Sequence, residues 1–178
     1  MRIIIKFRSR VIGGTIMGIF IREALVSDSH TLTEISFTSK RYWDYPYQYF
    51  EIWKDELTIT PAYIQNNKVY VAEANGKIVG YLSVVEVKND FWAGKVFVNK
   101  GFWLEHIFIL PEYIGKSIGT KLVDFLKVKC NEMNIDKVKI FSDPNAKGFY
   151  DKLGACYLGE SPSSIEGRTV SLYELYIK

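Results

Sequence analysis

A buried strand that breaks into a glycine-punctuated turn and restarts as a helix limits this chain more than any other feature. The stretch runs Leu104-Glu105-His106-Ile107-Phe108-Ile109-Leu110-Pro111-Glu112-Tyr113-Ile114-Gly115-Lys116-Ser117-Ile118-Gly119-Thr120-Lys121-Leu122. Gly101 to Leu110 reads as a strand that stops at Pro111. Beyond it, Ile118, Leu122, Phe125, Leu126 and Met133 recur at helical spacing. Such a junction aims free backbone N–H groups and the positive end of a helix dipole at one point, where an anion, most often a phosphate, binds. The turn residues available for this are Gly115, Lys116, Ser117, Ile118, Gly119 and Thr120. The pattern is neither a P-loop, which needs Gly-Lys-Ser/Thr at a set distance from a first glycine, nor the dinucleotide fingerprint, which needs a third glycine. A glycine at a helix start is also common without any ligand, so both readings stand at this point.

The rest of the chain supplies a mixed sheet around that junction. Ile19 to Ala24 is a plausible first strand, and Ser27 or Asp28 an N-cap for a helix carrying Leu32, Ile35 and Phe37. Pro46 suits the first turn of a helix with Tyr49, Phe50 and Trp53 on one face, and Thr60-Pro61 starts another short helix. Val69 to Ala74 and Lys77 to Val87 are strands joined at Asn75-Gly76, a strong hairpin signal. Lys137 to Phe141 alternates as a strand, Asn145 to Leu153 is a short helix ended by Gly154, and Ala155 to Gly159 and Thr169 to Ile177 close the chain as strands. No internal repeat and no long linker divides these elements. With 178 residues, 48% of them hydrophobic, there is material for one core. The expectation is a single α/β domain on a mixed sheet.

A second informative stretch, Ser142-Asp143-Pro144-Asn145-Ala146-Lys147-Gly148-Phe149-Tyr150-Asp151-Lys152-Leu153-Gly154-Ala155, follows a strand and forms the short helix. Together the two stretches resemble the GNAT superfamily of acyl-CoA-dependent N-acetyltransferases, over roughly Gly18 to Lys178. The family's first motif, Arg/Gln-x-x-Gly-x-Gly/Ala, is held here by Ile114, Ser117 and Gly119, so two of its three positions depart. Its second is matched closely by Asn145, Gly148, Phe149 and Tyr150. Ser117 keeps its backbone N–H, and a helix-start conformation, which does not require glycine, leaves the cradle intact. Ile114 removes a charge-assisted hydrogen bond of about 1.5–3 kcal/mol at most.

The resemblance implies a mostly antiparallel GNAT-like sheet flanked by helices, acetyl-CoA as co-substrate, no metal, and direct attack by a primary amine in a ternary complex. The acceptor is a small molecule or a peptide. Ile107, Phe108 and Ile109 would pair through their backbone with the pantetheine arm, and the Ile107 N–H would stabilise the oxyanion. Gly115 to Thr120 would hold the diphosphate, Phe149 would belong to the cofactor site, and Asn145 would bond the arm or simply cap its helix. Tyr150 would protonate the leaving thiolate, or else pack as a core aromatic. A primary amine with a pKa near 10.4 is charged at pH 7, which costs about 4.6 kcal/mol to reverse, so a base helps.

Simple alternation puts Trp103, Glu105 and Ile107 on one sheet face and Leu104, His106 and Phe108 on the other. The resemblance implies that the face of Trp103 and Glu105 looks toward the acceptor amine, which makes Glu105 the candidate base, or else an ion-paired or substrate-binding carboxylate, and leaves His106 a packed structural residue on the opposite face. A strand bulge, usual in the family, would reset that count. A non-catalytic acyl-CoA-binding or regulatory module on the same fold is the alternative. The aromatic run from Tyr42 to Trp53 lies where the family builds its acceptor pocket, and core packing or a homodimer surface explains it as well.

Charge and cysteine content narrow the partners. Lys plus Arg is 23 and Asp plus Glu 20, a net +3 that gives no reason to expect nucleic acid or a membrane surface. Only Arg2, Lys6, Arg8 and Arg10 favour a nucleic-acid reading. Cys130 and Cys156 are expected as buried thiols in a reducing cytoplasm. Those basic residues precede an apolar run, Val11 to Ile21, which has no small-x-small cleavage site and is too short to span a bilayer. The expectation is an extension over residues 1–16, a functional start at Met17, and one N-acetyltransferase domain over 17–178.

Overall fold

Asn75 and Gly76 both take positive φ, 51° and 75°, the geometry that matches a two-residue turn to the twist of its strands. This turn joins Lys68–Ala74 to Lys77–Val87, as the sequence predicts. The computed structural model describes residues 5–7 and 18–177. In chain order the elements are β1 (Ile5–Phe7), β2 (Ile19–Glu23), α1 (Ser29–Arg41), α2 (Tyr47–Ile52), α3 (Lys54–Leu57), α4 (Pro61–Asn66), β3 (Lys68–Ala74) and β4 (Lys77–Val87). They continue as β5 (Phe91–Ala93), β6 (Val96–Val98), β7 (Gly101–Ile109), α5 (Ile118–Glu132), β8 (Lys137–Ser142), α6 (Lys147–Lys152), β9 (Cys156–Pro162) and β10 (Thr169–Tyr176). Of the stretch expected as an extension, only residues 5–7 are described, pairing with β2. The proposed start at Met17 lies outside the described residues.

Eight strands form one sheet in the order β1-β2-β3-β4-β7-β8-β10-β9. Every neighbouring pair is antiparallel except β7 and β8. This is the mixed, mostly antiparallel sheet expected. The sequence reading missed the β5–β6 hairpin, which pairs only with itself, Phe91 opposite Val98 and Ala93 opposite Val96.

Alternation along β3 sends Tyr70, Ala72 and Ala74 to one face and Val69 and Val71 to the other. On the first face α5 packs with Ile118, Leu122, Phe125 and Leu126, each at most 1% exposed, and α6 adds Tyr150. On the second face lie Leu32 and Ile35 of α1 and Ile64 of α4, meeting Tyr81. A third cluster gathers Phe50, Trp53, Leu57 and Ile165. The aromatic run is thus divided: Phe50 and Trp53 are buried, while Tyr42, Trp43 and Tyr47 are exposed. Cys130 is buried, which raises its thiol pKa to about 11. Cys156 is exposed, contrary to expectation, because it opens β9 at the outer edge of the sheet.

Candidate active site

Strand β7 carries one residue more than its partner at the site. Ser83 of β4 faces His106 and Val84 faces Leu104, so Glu105 is the extra residue of a β-bulge. Alternation is reset there: Leu104, Ile107 and Ile109 pack with the α5 cluster, and Phe108 packs on the other side. The simple face count therefore fails beyond Leu104. His106 is not directed away from Glu105, since its Nδ1 lies 3.7 Å from Glu105 Oε2.

The two residues share a polar cluster. Tyr63 of α4 donates a short hydrogen bond to Glu105 Oε2. The Tyr63 hydroxyl also lies 2.7 Å from Ser83 Oγ and 3.1 Å from His106 Nδ1. Ser83 Oγ is 3.0 Å from the same nitrogen, and His106 Nε2 is 3.0 Å from the Glu56 carbonyl oxygen. A carbonyl only accepts, so Nε2 carries the ring proton and Nδ1 accepts; this tautomer is assigned from the network. Burial lowers the His106 pKa, outweighing the attraction of Glu105, so the ring is neutral. Burial, then the Glu105 charge, raises the Tyr63 pKa and keeps that phenol protonated. His106 is thus packed and hydrogen-bonded on both ring nitrogens, and it helps build the Glu105 surroundings.

Beyond the bulge, β7 and β8 part. Their parallel pairing is confined to Trp103 opposite Lys139, with Trp103 and Phe141 stacked at 4.6 Å. Leu110 N–H donates to Val79 O at 2.9 Å. By alternation Phe108 also bonds toward β4, whereas the backbone groups of Ile107 and Ile109 face the gap beside β8. The Ile109 carbonyl there accepts from Ser39 of α1.

A cavity of about 430 Å³ opens at this parting, lined by Glu105, His106, Ile107, Phe108 and Tyr150 among others. Tyr150 is 4% exposed, and its hydroxyl has no hydrogen-bond partner among the described residues. Burial, then the charge of Asp143, raises its pKa, so the phenol holds its proton. Ile109, Gly115 to Thr120, Asn145 and Phe149 lie outside the cavity lining.

The helix start lies close by. A Cβ on Gly119 would meet the Phe149 ring at 3.1 Å and Ile107 Cδ1 at 3.9 Å. Glycine at this position therefore lets α5 begin against the Phe149 ring and beside Ile107. The helical ladder opens with Lys121 N–H donating to Ser117 O at 3.1 Å, so the N–H groups of Ile118, Gly119 and Thr120 precede it. Ser117 corrects one expectation: it caps α5 at φ 60°, ψ 17°. Its conformation is left-handed, which glycine adopts freely and serine adopts at a cost of roughly 1 kcal/mol. Gly115, at φ 79°, needs the same freedom. Ile114 is exposed and supplies no polar group.

Asn145 does not cap its helix. Asp143 does, accepting from the Asn145 N–H at 3.0 Å, while Asn145 Nδ2 donates to Tyr45 Oη at 2.7 Å. Asp143 also binds Lys40 Nζ and the Tyr45 hydroxyl, each at 2.7 Å, with Arg168 at 3.5 Å. Burial would raise the Asp143 carboxyl, but Lys40, Tyr45 and the Asn145 N–H outweigh it and hold the carboxyl below its usual range. The Tyr45 phenol is pushed up to about 12 by burial and Asp143. Glu56, exposed at the cavity edge, has its pKa raised by desolvation of its carboxyl and by Glu105 and Asp143, against Lys40.

Sequence reasoning missed Tyr63, Ser83, Lys40 and Arg168, which lie far apart in the chain. Asp143 before Pro144 was legible as a helix-start signal. Among the described residues no cluster of three or more His, Cys, Asp or Glu is placed to hold a metal ion. Among those same residues no helix is long and apolar enough to cross a membrane.

Comparison with known proteins gives this geometry a context. The profile of the Acetyltransferase (GNAT) family matches residues 30–155. The peptidyl-lysine N-acetyltransferase YiaC of Escherichia coli (strain K12) is 26% identical over 108 residues, 60% of this chain and 64% of that enzyme, so the match spans less than two thirds of its length. A GCN5-related N-acetyltransferase structure from Rhodopseudomonas palustris superposes with a TM-score of 0.71 at 20% identity, covering 92% of this chain and 99% of the other. The PaiA N-acetyltransferase of Thermoplasma acidophilum, in complex with coenzyme A, gives 0.65 at 17% identity, covering 89% and 98%.

Proposed function

Since the chain belongs to the GNAT acetyltransferase family, we propose that it transfers an acetyl group from acetyl-CoA to a primary amine by direct attack in a ternary complex. The observation that carries this reading is the single cavity where β7 leaves β8, with Glu105 and Tyr150 both on its walls. The residues present suit the co-substrate. Ile107 offers its backbone N–H and carbonyl, and Ile109 its N–H, outward in the gap for strand-like pairing with an amide-bearing arm, the Ile109 carbonyl already accepting from Ser39. The N–H groups at the start of α5 suit a diphosphate, and Gly119 lets that helix end approach the Phe149 ring and Ile107 closely. Acetyl-CoA supplies an activated acyl group with a thiol leaving group.

Each side chain then has a defined task. Glu105, with its side chain 41% exposed and its carboxylate held by Tyr63, takes the proton that the ammonium must lose. The nitrogen bonds to the acetyl carbon, the carbon–sulfur bond breaks, Tyr150 supplies a proton to the departing sulfur, and the second proton that the nitrogen sheds on becoming an amide restores the phenol. The Tyr150 phenol suits this role because burial keeps it protonated. The Ile107 N–H stabilises negative charge on the acyl oxygen.

The test follows free thiol release from acetyl-CoA across a panel of amines. Amine-dependent release is expected. Tight acetyl-CoA binding by calorimetry, with no release on any amine class, overturns the reading and favours the binding-module alternative.

A further inference from the structure

The cavity walls beyond the reacting groups differ sharply in chemistry. The β5–β6 hairpin presents Phe91, Ala93, Val96 and Val98 to the cavity, one face of its two-residue alternation. Trp92 and Phe97 occupy its other face, their rings 4.9 Å apart and tilted by 45°. Val85, Val87 and Trp103 line the same cavity, so most of its lining away from the charged groups is alkyl and aryl, with Ser163 and Ser164 as its hydroxyls.

Charge is placed elsewhere. Glu105 has no ion-paired Lys or Arg among the described residues, whereas the charge of Lys40 acts on Glu56. Asp143 is already neutralised by Lys40 at 2.7 Å and approached by Arg168 at 3.5 Å. Arg168 in turn stacks over the Tyr45 ring at 4.5 Å. One end of the cavity therefore attracts a single cation, one wall carries positive charge, and the remainder is mostly apolar.

We infer that the acceptor is a primary monoamine carried on a compact apolar body, aromatic or branched, seated between the β5–β6 hairpin and Trp103. This rests on the amine-acetylation reading above. A polyamine would bring its second cation either onto the alkyl and aryl wall or toward Lys40 and Arg168, and both are unfavourable. A peptide would press its amide groups against the side chains of Phe91, Ala93, Val96 and Val98, which offer no hydrogen-bond partner. A phenyl or branched alkyl group gains by burial there and leaves its ammonium beside Glu105 and Glu56.

The experiment compares phenylethylamine, spermidine and an N-terminally blocked lysine peptide as acceptors for the full chain, with phenylethylamine binding read separately by saturation-transfer NMR in the presence of coenzyme A. Phenylethylamine is expected to bind and to show a kcat/KM at least about tenfold above the other two. Phe91, half exposed on a hairpin outside the main sheet, is then replaced. Phe91→Ala is expected to raise the phenylethylamine KM about tenfold and leave the acetyl-CoA KM unchanged, the latter showing that the fold is intact. Preference for spermidine or the peptide overturns the inference, as does a phenylethylamine KM indifferent to Phe91→Ala. Acetylation of another amine while phenylethylamine neither binds nor reacts sinks the inference and spares acetyl transfer. Binding of phenylethylamine with no acetyl transfer to any amine sinks acetyl transfer and supports the pocket assignment.

Discussion

The two faces of the central sheet are made of different materials. The face under α5 is closed by Ile118, Leu122, Phe125 and Leu126 on aliphatic and aromatic strand residues. The face under α1 and α4 also buries polar groups: Ser36, Ser39, Ser83 and His106 are each at most 6% exposed. Those groups are satisfied by one another and by backbone. Ser36 Oγ lies 2.6 Å from Tyr81 Oη, Ser39 bonds the Ile109 carbonyl, and Ser83 and Tyr63 meet His106. The first face holds the fold together by burial, and the second spends hydrogen bonds on fixing the position and protonation of groups near the cavity. Stability and chemistry are thus divided between opposite sides of the same strands.

Substitutions on each side should separate the two properties. Leu122→Ala on the α5 face should cost about 3 kcal/mol in denaturant unfolding by opening a cavity; a loss under 1 kcal/mol would show that this face is not the main support. Tyr150→Phe, whose side chain lies on the α5 face but whose hydroxyl borders the cavity, should lower kcat roughly a hundredfold with acetyl-CoA affinity unchanged. An unaltered kcat would remove its acid role.

His106→Gln should flatten the dependence of stability on acid. The folded His106 pKa is depressed below its ordinary 6.5, so below that pH the unfolded chain binds a proton that the folded one refuses. Stability is full above 6.5 and falls as pH drops from there toward the folded value, with a slope of at most about 1.4 kcal/mol per pH unit. Unfolding curves measured across that window should lose this slope in the variant. Smallest of all, Ser117→Gly should raise stability by about 0.5–1 kcal/mol by relieving the left-handed serine, with coenzyme A affinity retained. A destabilised variant would mean that the serine side chain makes up for its own backbone.

The sequence was legible wherever a local pattern governs the outcome. Asn75-Gly76, the periodicity of α5, and the Asn145 to Tyr150 stretch each declare themselves within a few residues, and the structure follows them closely. What escaped depends on registration between strands. That Glu105 is an additional residue against β4 cannot be counted from β7 alone, so His106 was placed on the wrong face. Tyr63 and Arg168 reach the cavity from 42 and 63 positions away from Glu105, where no spacing rule applies. Ser117 was misread for a different reason: the family's glycine there serves a positive φ, and only backbone angles reveal that a serine has adopted it.

The lone rung between Trp103 and Lys139 has a mechanical consequence. It fastens a five-stranded blanket, β1-β2-β3-β4-β7, to a three-stranded one, β8-β10-β9, along a seam left open for most of its length. Anything that lays its own amides along that seam stitches the blankets together, so loading the enzyme should stiffen the whole sheet, including strands far from the chemistry, and amide exchange should slow across both.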